Sequence, residues 1–133
     1  MTGIERLRPD GLVRSPAFSH VAIVPAGATT IYVGGQNAVD AGGSLVGAGD
    51  AAAQSARALA NVKTALAAAG ASVADVVQWT VLFVDGVDVA AAYGAIAADL
   101  ASDEPALVTS ALVAGLGVPG ALVEIGAIAA VIR

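Results

Sequence analysis

Residues 50–85 read DAAAQSARALANVKTALAAAGASVADVVQWTVLFVD, and this stretch decides the fold. Its first part has the spacing of an amphipathic helix, with Asp50 as a suitable N-cap and Gly70 at the position after the last turn. The predicted inner stripe is apolar and consists of Ala56, Leu59, Val62 and Leu66. Residues 76–84 are rich in β-branched and aromatic side chains, which predicts a largely buried strand with Trp79 and Phe83 on one face.

The flanking sequence adds further elements on both sides of this helix and strand. Residues 21–24 and 30–34 are short β-rich runs around Pro25-Ala26-Gly27, which predicts a hairpin. A second helix is predicted from Asp88 to before Ser102, and strands are predicted over residues 107–113 and 122–132. The inner face of that second helix is predicted to carry Val89, Ala92, Tyr93, Ile96 and Leu100.

The order β-β-α-β-α-β-β predicts one α+β domain over residues 1–133. Its sheet is expected to be mixed, with both helices packed on one face. The other face would then be covered by further subunits of the same chain.

The composition limits the classes of function. Hydrophobic residues make up 57% of the 133 residues and charged residues only 13%, so association between subunits is expected. The formal net charge is −5, which argues against strong binding to nucleic acid, because that affinity depends on Lys and Arg. Cysteine is absent, which excludes disulfides and thiolate chemistry.

The same sequence carries no signal for export or for membrane insertion. Its start lacks the apolar core of a signal peptide, and glycine and proline break the uncharged residues 105–123 into pieces of strand length. We therefore expect a cytoplasmic protein that does not span a membrane.

Segments across most of the chain resemble, in order and spacing, the RidA (YjgF) family of imine-handling proteins, and together they cover residues 15–131. The matching segments are Pro16-Ala17-Phe18-Ser19-His20, Tyr32-Val33-Gly34-Gly35-Gln36, the helix with Gln54, Asn61 and Leu66, residues 76–85, and Leu122-Val123-Glu124-Ile125. The resemblance implies a chorismate-mutase-like fold. It also implies a homotrimer in which the sheets form a central barrel and small molecules bind in clefts between subunits.

The resemblance also implies a site with one important departure. In RidA proteins, an arginine after Pro-Ala holds the carboxylate of an enamine or imine acid, which is hydrolysed to a keto acid and ammonia. Here that segment reads Pro105-Ala106-Leu107, so the bidentate contact to a carboxylate is missing and 2-aminoacrylate-type substrates are not expected. The chain thus resembles a subgroup without the catalytic arginine.

Two further departures make the expected pocket more apolar, because Phe18 replaces the usual tyrosine and Gly34 a common serine. Glu124 matches the family glutamate that is thought to activate the attacking water. Gly35 and Thr109 match positions that present backbone groups to the ligand.

The predicted site therefore has Glu124 as the catalytic residue and a separate set of residues that bind the substrate. That set is Phe18, Gly35, Leu107 and Thr109, with His20, Gly34 and Gln36 as further pocket candidates.

Several of these assignments have a structural alternative. Glu124 could lie at the exposed start of its strand and serve solubility or a subunit contact, and His20 could be a hydrogen-bonded structural residue. Whether Arg14 reaches the cleft stays open, and we expect no metal ion and no cofactor.

Three functions are compatible with this reading. The first is hydrolysis of a small neutral or weakly polar molecule with Glu124, and the second is a binding or chaperone-like trimer without turnover. The third is the endoribonuclease activity attached to some relatives, which the acidic charge disfavours.

Overall fold

A four-stranded sheet and a two-stranded ribbon organise the chain, whose computed structural model describes residues 3–133. The strands are β1 (Glu5–Leu7), β2 (Val21–Ile23), β3 (Thr29–Gln36), β4 (Val76–Val84), β5 (Leu107–Val113) and β6 (Val123–Val131). The helices are α1 (Ala51–Ala68), α2 (Val89–Gly94) and α3 (Ala97–Leu100), and a 3-10 turn over Val73–Asp75 precedes β4. No helix of residues 3–133 is both long and apolar enough to cross a bilayer.

The main sheet is mixed, as the sequence predicts. Its order is β3-β6-β4-β5, with β4 and β5 parallel and the other pairs antiparallel. Alternate residues of β4, including Trp79, Val81 and Phe83, are buried in the core with the apolar side chains of α1. Both predicted helical regions pack on this face, which confirms the α+β class, and the opposite face is called the open face below.

Helix α1 begins and ends as predicted, but its buried stripe is shifted. The Asp50 Oδ1 accepts a hydrogen bond from the Ala53 amide at 3.0 Å, and Gly70 has the left-handed φ of +73°. Ala56 was assigned to the stripe wrongly, because it is exposed. The buried positions are Gln54, Ser55, Ala58, Leu59, Val62 and Leu66, so two polar residues occupy places that a count of apolar residues misses.

The predicted hairpin between residues 21–24 and 30–34 is wrong. Strand β2 pairs with β1, with Leu7 opposite Val21, and β3 pairs with β6. The charged residues of β1 conceal a strand whose Arg6 guanidinium donates to the carbonyl oxygens of Ala74 and Val76. This contact ties β1 to the start of β4, while the backbone of β1 pairs with β2.

The second helix is broken rather than continuous. Asp88 caps it as predicted, accepting from the Ala91 amide at 3.0 Å, and Ala92, Ile96 and Leu100 are buried. Ile96 has a φ of −118°, outside the helical range, and separates α2 from α3. A glycine inside a helix costs about 1 kcal/mol relative to alanine, so Gly94 favours the end of α2 at this point.

Candidate functional site

Glu124 lies in a groove on the open face of the main sheet. The two-residue period of β6 buries Val123, Ile125 and Ala127 in the core and turns Glu124, Gly126 and Ile128 to the open face. The groove has a volume of about 360 Å³. Its walls come from β3, β4 and β6, including Tyr32, Gly34, Gly35, Thr80 and Leu82.

A β-bulge in β3 shapes the floor of this groove. Val33 pairs with Ala127 and Gln36 with Ile125, so Gly34 and Gly35 together lie opposite Gly126. A Cβ atom at Gly35 would lie 2.5 Å from the Glu124 Oε2, closer than side-chain atoms approach. The Glu124 carboxylate therefore rests directly against the Gly35 backbone, and only glycine leaves it that space.

Glu124 is half-buried rather than enclosed. Of the ten residues of the described chain that line the groove, Glu124 alone is ionised. No hydrogen bond from another residue within 3–133 engages its carboxylate, so both oxygens can face the groove. A carboxylate with this access can bind a donor group or accept a proton from water.

Buried amide side chains fix the start of β6, immediately before Glu124. Gln54 is 0% exposed, and its Oε1 accepts from the Leu122 amide at 2.8 Å. Its Nε2 donates to the carbonyl oxygens of Gly47 and Gly120, each at 3.2 Å. On the following residue, the Val123 carbonyl oxygen accepts from the Asn37 Nδ2 at 3.1 Å.

Sequence reasoning missed this role of the amides. Gln54 and Asn61 were noted only as part of the matching helix, and Asn61 in fact donates to the carbonyl oxygens of Asn37 and Val39. A polar residue at a buried helix position is the signal that could have identified them, since such a residue needs hydrogen-bond partners.

The structure places Leu107 and Thr109 on the open face but away from Glu124. Thr109 lies opposite Thr80 and Leu107 opposite Gln78, and the Gln78 Nε2 donates to the Thr109 Oγ1 at 3.3 Å. Neighbouring strands lie ~4.8 Å apart, so β5 is about 10 Å to the side of β6. Glu124 is level with Ala111 of β5, and at ~3.3 Å per residue Leu107 lies about 13 Å further along that strand. One subunit therefore does not bring Leu107 and Glu124 to one small ligand.

Phe18 lies against a different cavity, on the helix-covered face. This cavity has a volume of about 310 Å³ and is mainly apolar, and Phe83, Tyr93 and Val108 also line it. Tyr93 was predicted only as a core residue of the second helix. Phe18 therefore contributes to the edge of the sheet near β5 rather than to the groove of its own subunit.

His20 and Gln36 also lie outside the groove. The His20 ring meets Phe18 edge to face at 5.4 Å, and its Nε2 lies 2.7 Å from the Val13 carbonyl oxygen. Gln36 donates from Nε2 to the Gly34 carbonyl oxygen at 3.1 Å and borders a shallow surface beside α1.

Arg14 is exposed in the loop before Phe18. Within residues 3–133, no three acidic or histidine side chains cluster as metal ligands.

Most of the cationic side chains make contacts within the chain. Five of its six Lys and Arg residues make hydrogen bonds or an ion pair to other residues of the described chain. These are Arg6, Arg8, Arg57, Lys63 and Arg133.

Comparison with known proteins gives a consistent picture. The sequence profile of the family described as endoribonuclease L-PSP matches residues 12–131. No curated protein matches this chain.

Among solved structures, the Rid-family protein YyfB from Yersinia pestis is described as of unknown function. It is 33% identical to this chain with a TM-score of 0.84, and the match covers 95% of this chain and 97% of that one. The YjgF gene product of E. coli is 32% identical with a TM-score of 0.66, covering 83% and 85%. RidA from an Antarctic Psychrobacter is 27% identical with a TM-score of 0.66, covering 88% and 96%. The fold shared with these structures is chorismate-mutase-like.

Proposed function

Because the chain belongs to the endoribonuclease L-PSP family, which includes the YjgF and RidA proteins, we propose that it forms a homotrimer that hydrolyses a small imine without a carboxylate. The reaction takes place in clefts between subunits, with Glu124 as the general base. The observation that carries this proposal is the half-buried Glu124 carboxylate, which faces an open groove over the Gly35 bulge.

The chemistry follows from a carboxylate beside a water-accessible space. Glu124 takes a proton from a water molecule while the water oxygen forms a bond to the carbon of the protonated imine, and the C=N electron pair moves to nitrogen, which becomes a neutral amine. In the resulting carbinolamine, Glu124 returns its proton to the nitrogen. The C–N bond then breaks, the hydroxyl proton is lost as the carbonyl forms, and ammonia leaves.

The identity of residue 107 restricts the substrate. Leu107 has no donor with which to hold a carboxylate, whereas a guanidinium binds one through two charge-assisted hydrogen bonds. The groove itself contributes the negative charge of Glu124, which disfavours an anionic substrate. Imines derived from amino acids, such as 2-aminoacrylate, are therefore poor substrates for this chain.

The distribution of the site residues supports a cleft between subunits. Glu124 and Gly35 share the groove, while Leu107 lies far along β5 and Phe18 faces a cavity on the other side of the sheet. In a closed trimer, a neighbouring subunit can bring its own Phe18 and Leu107 to the groove. The site is incomplete without that neighbour, so catalysis depends on assembly.

The proposed reaction has a direct test. The wild type is expected to hydrolyse a small carboxylate-free imine, with ammonia release followed by a coupled assay, and to hydrolyse 2-aminoacrylate far more slowly. Glu124→Gln should lower turnover by about a hundredfold or more, because the amide cannot accept the proton. Glu104→Gln makes the same change in net charge, leaves the groove carboxylate unaltered and serves as the matched control.

A binding protein without turnover is the second candidate, and the loss of the arginine at position 107 favours it. Binding of the imine with no ammonia above the uncatalysed rate would establish this candidate and exclude the hydrolase. Equal turnover by the wild type and Glu124→Gln would also contradict the proposed role of Glu124.

Trimer formation is a separate prediction. Light scattering at micromolar concentration should give three times the chain mass of 12.8 kDa, because the open face carries Tyr32, Leu82 and Ile128 without cover from the described chain. A stable monomer at that concentration would remove the cleft and, with it, the proposed site.

Ribonuclease activity is not expected, despite the family description. Phosphate binding depends on Lys and Arg, and the chain has six of these against eleven Asp and Glu, with a formal net charge of −5. Gel-shift and cleavage assays with single-stranded RNA at low salt should show neither retention nor shortened products. Salt-dependent retention would contradict this expectation.

A further inference from the structure

The groove around Glu124 has the features of a site for an organic cation. Its one ionised side chain is negative, and the ring of Tyr32, which is 77% exposed, stands at its side. Leu82 and Ile128 supply apolar walls. We propose that the groove selects a protonated nitrogen, either an iminium or an ammonium ion, on a small apolar group. This inference rests on the proposed function and names the charge state of its ligand.

The space above Gly126 is where the charged nitrogen fits. A Cβ atom built on Gly126 would lie 3.4 Å from the Val33 carbonyl oxygen and 3.7 Å from both the Cα and the amide nitrogen of Gly35, so glycine leaves an open position bordered by backbone. The Glu124 carboxylate lies over Gly35 on the same side. A protonated nitrogen there meets a carboxylate and a carbonyl oxygen, both of which are acceptors.

Tyr32 complements these acceptors. It pairs with Ile128 across the β3–β6 ladder, two residues from Gly126 on the same face of β6. The face of a tyrosine ring attracts a cation through its quadrupole, and the apolar side chains nearby suit the hydrocarbon part of the ligand. The Glu124 carboxylate, the Tyr32 ring and the apolar walls therefore all favour a cation with a small hydrocarbon group.

A ligand that carried a carboxylate in this position would be repelled. It would approach Glu124, which carries the same charge, and the groove offers no cationic side chain among its ten lining residues of the described chain. The groove thus distinguishes ligands by the sign of their charge, and the cationic form of an imine is also the form that water attacks more readily.

The test uses two probes of similar size and opposite charge, butylammonium and butyrate, titrated into the intact protein. Backbone amide NMR shifts at Gly34, Gly35 and Gly126 report binding in the groove. Butylammonium should shift these three amides in a saturable way, and butyrate at the same concentrations should not. Comparable saturable shifts with butyrate would overturn the inference.

Two variants of equal net charge separate a local contact from the overall field. Glu124→Gln should weaken butylammonium binding about fivefold or more, because the partly screened charge pair is lost. Glu104→Gln removes an exposed carboxylate that borders a different cavity with Arg6, and should change binding by less than about twofold. Equal weakening by both variants would overturn the local contact.

Failure of this inference is distinguishable from failure of the proposed function. The titration requires no turnover, so saturable butylammonium binding without imine hydrolysis supports the cation site and refutes the hydrolase. Imine hydrolysis that depends on Glu124, without butylammonium binding, keeps the hydrolase and overturns the cation site.

Discussion

Replacing Gln54 by leucine is expected to lower the free energy of unfolding by about 3 kcal/mol, because buried polar groups left without partners cost ~1–3 kcal/mol each. The leucine fits a helix but leaves the Leu122 amide and the carbonyl oxygens of Gly47 and Gly120 without the bonds that Gln54 makes. Urea unfolding at a fixed protein concentration measures the change, since assembly also contributes to apparent stability.

Gln36→Leu is the matched control for this substitution. Its side-chain amide bonds only to a carbonyl oxygen two residues away, so its loss should cost less than about 1 kcal/mol. Similar losses for both variants would show that the buried amide does not hold the start of β6.

The second large effect is expected at the bulge. Gly35→Ala places a methyl group where the Glu124 carboxylate lies, since the distance from an ideal Cβ to Oε2 is 2.5 Å. The carboxylate must rotate away. We expect groove binding and imine turnover to fall by about tenfold or more, because a displacement of about 1 Å at a catalytic group can lower the rate about a hundredfold.

Gly34→Ala tests this explanation in the same bulge. Nothing lies within 4 Å of an ideal Cβ at Gly34, and its φ lies outside the left-handed region, so the Glu124 carboxylate should keep its place, and binding and turnover should fall less than in Gly35→Ala. A Gly34→Ala variant as impaired as Gly35→Ala would show that the bulge backbone, rather than the contact with Glu124, is responsible.

Local sequence signals predicted the central elements well. The bounds of β4 follow from a run of mainly β-branched and aromatic side chains, and α1 has a capping aspartate and a glycine after its last turn. These signals depend on residues close together in the chain. Both elements are also buried, so packing and local preference agree.

Long-range partners were the part that sequence could not supply. Strand β1, which pairs with β2, is also held by Arg6, whose bonds reach the backbone about seventy residues away. Nothing in the local pattern of Glu5-Arg6-Leu7 distinguishes such an anchor from a solvated arginine. The separation of Leu107 from Glu124 likewise follows only from the order of the strands.

The order of the strands has a consequence for how the chain reaches its native state. Strand β6, the last element in sequence, lies between β3 and β4, which are not neighbours of each other. During synthesis, β3 is complete long before β6, its partner in the main sheet. When α1 has been made, the sheet on which it packs is still incomplete. Loop closure over such separations is slow, because its entropy must be lost before the contacts form. Nascent chains that end before residue 123 therefore expose unpaired strand edges, and in the cell they become substrates for chaperones or aggregate.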